Sequence, residues 1–186
     1  MGTLTITGGT LRSRRVPTPT GRGTRPTPAR VKEALFSMLG SRVADARVLD
    51  LFAGSGALGF EALSRGASHV TFVERHRATA GALRSAAREL GVDAQVEVLA
   101  VPAERAVRGV GGRYDLVFAD PPYAEPYPAA ALHALRDRRA IDERTTVVYE
   151  HSSRREPPDD ALMRAERSER YGEVALTFLR PLEAAA

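Results

Sequence analysis

The chain predicts an α/β domain built on a mostly parallel sheet, and three observations predict it. Short apolar, β-prone runs at 47–52, 70–74, 95–99, 115–119 and 145–150 alternate with stretches of helical period. Glycines (Gly40, Gly66, Gly91) stop the helical stretches. Gly54-x-Gly56-x-x-Gly59 joins the first run to the next helical stretch, the strand–turn–helix setting that this spacing requires.

Taken in order, residues 3–6 and 10–16 flank Gly8-Gly9 and predict a small β-hairpin. Arg12 and Arg14 then fall on one face of its second strand and Arg15 on the other. The proline- and glycine-rich 17–28 reads as an extended connector. Thr27 as N-cap and Pro28 at the first helical position predict a helix start. Val31, Leu35, Met38 and Leu39 make its apolar stripe, with Arg30, Lys32 and Glu33 off it. After the first core strand at 47–52, a helix runs through Phe60, Ala62 and Leu63 towards Gly66. A second strand at 70–74, a helix at 77–90, a third strand at 95–99 and a short helix at 103–108 follow. The fourth strand is 115–119, a helix covers 128–137, and the fifth strand is 145–150. Residues 162–170 and 174–180 predict two closing strands with no helix between them, so at least one pair there is antiparallel. The sum is a seven-stranded, mostly parallel sheet with helices on both faces, plus the hairpin. The expected division is an arm at 1–26 and one domain at 27–186.

The 186 residues suffice for one substantial core. With 43% hydrophobic and 27% charged residues, the composition is that of a soluble globular protein. The absence of cysteine excludes disulfides, thiolate metal sites and a cysteine nucleophile. His69, His76, His133 and His151 lack metal spacing, so no metal is expected. No run approaches transmembrane length and the N-terminus does not read as a signal peptide, so a cytoplasmic protein is expected. The net charge of +4 is uneven. Residues 1–32 carry seven basic side chains and no acid, while the remainder holds 20 basic against 23 acidic. Such an arm suits a polyphosphate partner.

Two places carry chemistry. Glu74 ends the second strand, 20 residues after Gly54, where a carboxylate can take both hydroxyls of a ribose. Asp50 stands just before the glycine turn. An anion there repels a pyrophosphate and attracts a cation. S-adenosylmethionine, with a sulfonium, an ammonium and a ribose but no phosphate, fits this set better than NAD. The second place is Asp120-Pro121-Pro122-Tyr123, which ends the fourth strand. Two prolines make a stiff turn at a carboxyl edge, where open α/β sheets bind ligands. It offers a carboxylate, a free carbonyl and a ring, a set suited to a flat base with an exocyclic amine.

These residues resemble a known family. The stretch 48–56 looks like the first motif of class I S-adenosylmethionine-dependent methyltransferases, a Rossmann-like fold, and Glu74 matches their ribose-binding acid. Asp120-Pro121-Pro122-Tyr123 looks like the motif shared by enzymes that methylate exocyclic amines of bases. The Gly8-Gly9 start, Thr24-Arg25-Pro26-Thr27 with Arg30-Val31-Lys32-Glu33-Ala34-Leu35-Phe36, and the continuation 57–67 resemble the bacterial small-subunit 16S ribosomal RNA guanine-N2 methyltransferases, the methyltransferase D family. That resemblance implies S-adenosylmethionine as cofactor, 16S rRNA in an assembling 30S subunit as partner, and a monomer. It implies catalytic roles for Asp120, Pro121 and Tyr123. It assigns the cofactor to Asp50, Phe52, Ala53, Gly54, Ser55, Gly56, Glu74, Arg75, Ala103, Glu104 and Asp120, and RNA phosphates to Arg12, Arg14, Arg15, Arg25 and Arg30. One departure is Pro102-Ala103-Glu104, which stands where many relatives put an acid or small polar residue facing adenine; the Ala103 N–H is left for that task. The stretch 154–158 also matches poorly. Two alternatives stay open: a DNA adenine-N6 methyltransferase, and a non-catalytic RNA-binding assembly factor that keeps the fold.

Overall fold

The computed structural model describes residues 2–18, 28–122 and 124–183; Arg25, Thr27 and Tyr123 lie outside them. The described residues form nine strands and five α-helices. The core strands are β3 (Arg47–Asp50), β4 (His69–Val73), β5 (Val96–Leu99), β6 (Leu116–Ala119), β7 (Thr146–Ser152), β8 (Met163–Tyr171) and β9 (Val174–Pro181). They make one sheet in the order β5-β4-β3-β6-β7-β9-β8. The pairs from β5 to β7 are parallel, and β9 runs antiparallel to both β7 and β8. Strand order reverses between β3 and β6. Two chain segments therefore diverge at their carboxyl edges and leave a crevice.

Alternating side chains build a core on each face of the sheet. Val48, Val70, Phe72, Leu116, Phe118, Val148, Leu176 and Phe178 form one core with Leu35, Phe36, Phe60 and Leu83. Those last four come from α1 (Ala29–Leu39), α2 (Ala57–Ser64) and α3 (Arg77–Leu90). Leu49, Leu51, Val73, Val117, Val147 and Leu179 form the other with α4 (Ala103–Ala106) and α5 (Ala129–Asp137). The helix and strand expectations for the core hold to within a few residues at their ends.

Three local expectations need correction. The hairpin pairs β1 (Gly2–Thr5) with β2 (Arg15–Thr18), not 3–6 with 10–16. Gly8-Gly9 is not a two-residue turn but the start of a loop laid on α2. Thr7 N, Thr7 Oγ1 and Gly8 N donate to the Glu61 carboxylate at 2.9, 2.8 and 2.8 Å. Thr10 N donates to Ser64 O at 2.7 Å. A Cβ on Gly9, where φ is +76°, would lie 1.8 Å from that carbonyl, so only glycine allows the approach. Arg12 and Arg14 thus precede the strand instead of lying on it.

Second, Pro28, with ψ 142°, is the N-cap of α1, so the helix starts one residue later than expected. Third, Lys32 does not lie on a solvated face: it is 2% exposed. Its Nζ donates to Thr5 O at 2.9 Å and stands 3.5 Å from Glu61 Oε2. Burial lowers the Lys32 pKa against the pull of Glu61. Burial alone would raise the Glu61 pKa, but hydrogen bonds from the Thr7 amide, the Thr7 hydroxyl and Arg65 outweigh it and hold the carboxyl below its ordinary value.

Candidate active site

The carboxyl edges of β3, β4 and β6 place the residues singled out in the sequence. After β3 the chain turns through Gly54 (φ +51°) and Gly56 (φ +78°) into α2. Ala53 N donates to Val73 O at 3.0 Å, tying the turn to β4. The glycines differ in purpose. A Cβ at Gly56 would meet Phe60 at 2.6 Å and Leu83 at 2.7 Å, so Gly56 serves packing. At Gly54 a Cβ would find only Phe52 O, at 3.9 Å, so this turn has an open side that something can approach.

Glu74 follows β4 and closes the turn. Its Oε2 accepts from Gly54 N at 3.0 Å and its Oε1 from His76 N at 2.8 Å. Each oxygen keeps a lone pair for a further donor, such as a ribose hydroxyl. Asp50 is buried under the turn and accepts from Gly59 N at 3.2 Å. Burial, with a smaller push from Glu74, raises its pKa to about 7, against the amides of Gly59 and Phe52. A cation bound beside it would restore the carboxylate. Phe52, Gly54 and Ser55 are half-buried along this turn and Ala53 is buried. Ala103, buried, opens α4 after β5, while Glu104 beside it is exposed. An open glycine turn, a ribose acceptor and an acid that seeks a cation fit S-adenosylmethionine.

Asp120 and Pro121 leave β6 next to this turn. Leu51 N donates to Phe118 O at 2.9 Å, which locks the two strand ends together. Asp120 is half-buried and Pro121 buried. The Asp120 pKa is raised well above the ordinary range, first by burial and then by Glu150 and Asp50. Asp50 and Glu150 are thus the two carboxylates whose charge acts on Asp120. Glu150, 4% exposed, lies on β7 one position beyond the Ala119–Tyr149 register pair. Glu150 is not among the residues that the sequence motifs single out. The signal was present: apolar runs in four core strands lead into an acid (Asp50, Glu74, Asp120, Glu150), although β7 continues two residues past Glu150.

Other assigned residues lie elsewhere. Arg75 pairs with Glu125 at 2.8 Å, beyond the proline turn. Arg12, Arg14, Arg15 and Arg30 are exposed on the hairpin side, and Arg14 Nη2 donates to Glu89 O at 2.9 Å, near the end of α3. No helix among the described residues is long and apolar enough to cross a membrane.

A single reversed strand, β9, set into an otherwise parallel sheet, with the glycine turn and its acid at the switch point, defines a methyltransferase of the class I type. Residues 4–180 match the family model described as conserved hypothetical protein 95, and the chain belongs to that family. Among its relatives, the ribosomal RNA small subunit methyltransferase D of Escherichia coli K12 is 36% identical over 80% of this chain and 75% of its own. The protein of the same name from Haemophilus influenzae is 39% identical over 80% and 79%. The solved Escherichia coli protein yhhF superposes with a TM-score of 0.84 at 33% identity, covering 97% of this chain and 98% of that one.

Proposed function

We infer that the protein moves a methyl group from S-adenosylmethionine to the exocyclic N2 of a guanine in 16S rRNA, met within an assembling 30S subunit. The observation that carries this reading is the Asp120-Pro121 turn, set against Asp50 at the switch point of a chain from this family. The names of the relatives support a ribosomal RNA substrate.

The bound donor supplies an electrophilic methyl on a sulfonium. Asp50 offsets the donor's positive charge, Glu74 accepts from its ribose hydroxyls, and the Gly54–Gly56 backbone lines it. Phe52, Ala53 and Ser55 complete that wall, and the Ala103 N–H faces the adenine with Glu104 alongside.

A guanine N2 lone pair is delocalised into the ring and attacks poorly. The Asp120 carboxylate and the Pro121 carbonyl accept the two N2 protons and hold the nitrogen in a less planar, more nucleophilic geometry. Positioning of this kind can remove much of a barrier. As the C–N bond forms and the C–S bond breaks, N2 becomes cationic and must lose a proton. The raised proton affinity of Asp120 suits it to accept that proton. Tyr123 stacks on the base, which must leave its RNA neighbours to reach the pocket. Residues 1–26 serve as an RNA-holding arm through Arg12, Arg14, Arg15 and Arg25, with Arg30 beside them, and 27–186 as the catalytic domain. We read the protein as a cytoplasmic monomer that needs no metal.

The test is to incubate protein and labelled donor with unmodified small subunits, free 16S rRNA and duplex DNA, and to identify the labelled nucleoside. N2-methylguanosine from the subunits supports the reading; N6-methyladenine in DNA sinks it. Donor binding with no transfer to any substrate points to an assembly factor. Asp120→Ala should abolish transfer and leave donor affinity within a few-fold. Activity that survives removes Asp120 from the chemistry.

A further inference from the structure

The loop after Asp120 is held from two sides. Glu125 N donates to Pro122 O at 2.7 Å, which ties the two residues together. Arg155, from the segment after β7, donates through Nη1 to Glu125 O at 3.0 Å. Arg75, from the residue after Glu74, donates through Nη1 to Glu125 Oε1 at 2.8 Å. Arg75 is itself steadied, its Nε donating to His76 Nε2 at 3.3 Å, and His76 N donates to Glu74 Oε1 at 2.8 Å. A continuous polar chain therefore runs from the donor-side acid Glu74 through His76, Arg75 and Glu125 to the carbonyl of Pro122.

We propose that Glu125 is a positioning residue for the methyl acceptor: its ion pair with Arg75 sets the Asp120–Pro122 turn relative to the donor-side end of β4. This rests on the reading above, in which Glu74 holds the donor and Asp120-Pro121 the amine. It gives Arg75 a different part from the one its place after Glu74 implies: its guanidinium acts on the acceptor loop. The logic is geometric. Pro121 and Pro122 fix their own φ but not the direction in which the turn leaves β6. The Arg75 bridge fixes that direction from the donor side, and the Arg155 bond fixes it from the β7 side. The side chains of Arg75 and Glu125 are 53% and 34% exposed, so replacing either leaves both cores intact. For the same reason the pair adds little to stability, and its use must be sought elsewhere.

The experiment measures two quantities on the full chain: the Kd for S-adenosylmethionine, and the KM for unmodified small subunits at saturating donor. Glu125→Gln keeps the shape and loses the charge. It should raise the subunit KM by about fivefold, the upper range for an exposed pair, and leave the donor Kd within about twofold. The single reversals Arg75→Glu and Glu125→Arg should each be worse than Glu125→Gln. The double exchange Arg75→Glu with Glu125→Arg should recover most of the loss if the charge pair itself is what matters; a subunit KM that moves in Glu125→Gln while the donor Kd stays is what a merely structural loss would not give. A subunit KM unchanged in Glu125→Gln, a donor Kd that rises in step with it, or an exchange no better than its single reversals overturns the proposal. If the wild type neither binds the donor nor incorporates methyl, the functional reading fails and this inference falls with it. If the wild type is active and Glu125→Gln behaves like it, only the inference falls.

Discussion

Asp50 and Asp120 show what burial does to a carboxyl. Both are pushed towards the neutral form, Asp50 to about 7. For Asp50 the sign is definite. Folding raises its affinity for a proton, so its contribution favours the fold below the ordinary aspartate range and is lost as pH rises to about 7. A cation in the site reverses the preference and favours the carboxylate. Donor affinity should therefore climb with pH through about 7 and then level, with proton release on binding below that value. Asp50→Asn should flatten this profile and weaken donor binding at pH 8 by roughly tenfold or more, the loss of one charge-assisted contact. Calorimetry in two buffers of different ionisation enthalpy measures both effects, and an unflattened profile in the variant would remove Asp50 from donor binding. At this scale the sequence was readable wherever a residue's place depends on its neighbours. Asp50, Gly54, Glu74 and Asp120 each follow an apolar run and stand at a strand's end. Glu125 and Lys32 were not readable, because their partners Arg75 and Glu61 lie 50 and 29 positions away, and no local pattern marks such a meeting.

Among the elements, the N-terminal loop departs most from expectation, for a reason that lies in α2. Glu61 is fully buried, and its carboxylate gathers Thr7, Gly8, Arg65 and Lys32. These bonds draw residues 7–11 onto the helix and move the pairing of β2 outward to 15–18. A hairpin read from Gly8-Gly9 could not include that pull. The core elements had no such competitor, so their periodicity was enough. Removing one partner of a buried pair strands the other, at a cost of about 3–5 kcal/mol. Glu61→Gln should lower Tm on the order of 10 °C for a chain of this size. Trypsin should also cut at Arg12–Arg15 faster than at core sites, reporting release of the loop. A Tm within about 2 °C of wild type would show that the amide replaces the carboxylate, contrary to the network described.

For the molecule as a whole, charge is segregated: the arm is basic and the remainder slightly acidic. Exposed Arg12, Arg14 and Arg15 stand on the face that carries α1, α2 and α3. Arg14 has a structural use as well, since a cation near a helix C-terminus interacts favourably with the dipole. The two uses separate under salt. Each phosphate contact contributes about 0.7–0.9 to the slope of log affinity against log salt. Replacing the three arginines by alanine should flatten the slope for 16S rRNA by roughly two units and leave donor affinity unchanged. An unchanged slope would restrict these residues to structural duties. The sheet also has an order of assembly. β9 lies between β7 and β8, yet it leaves the ribosome after both of them. Until residues 174–181 emerge, the apolar run of β7 has an open edge with no antiparallel partner, and β8 has no sheet to join. Synthesis therefore passes through a stage in which the crevice between β3 and β6 can already form while the sheet remains unsealed. That nascent stage, more than the finished protein, is where chaperone protection and aggregation compete.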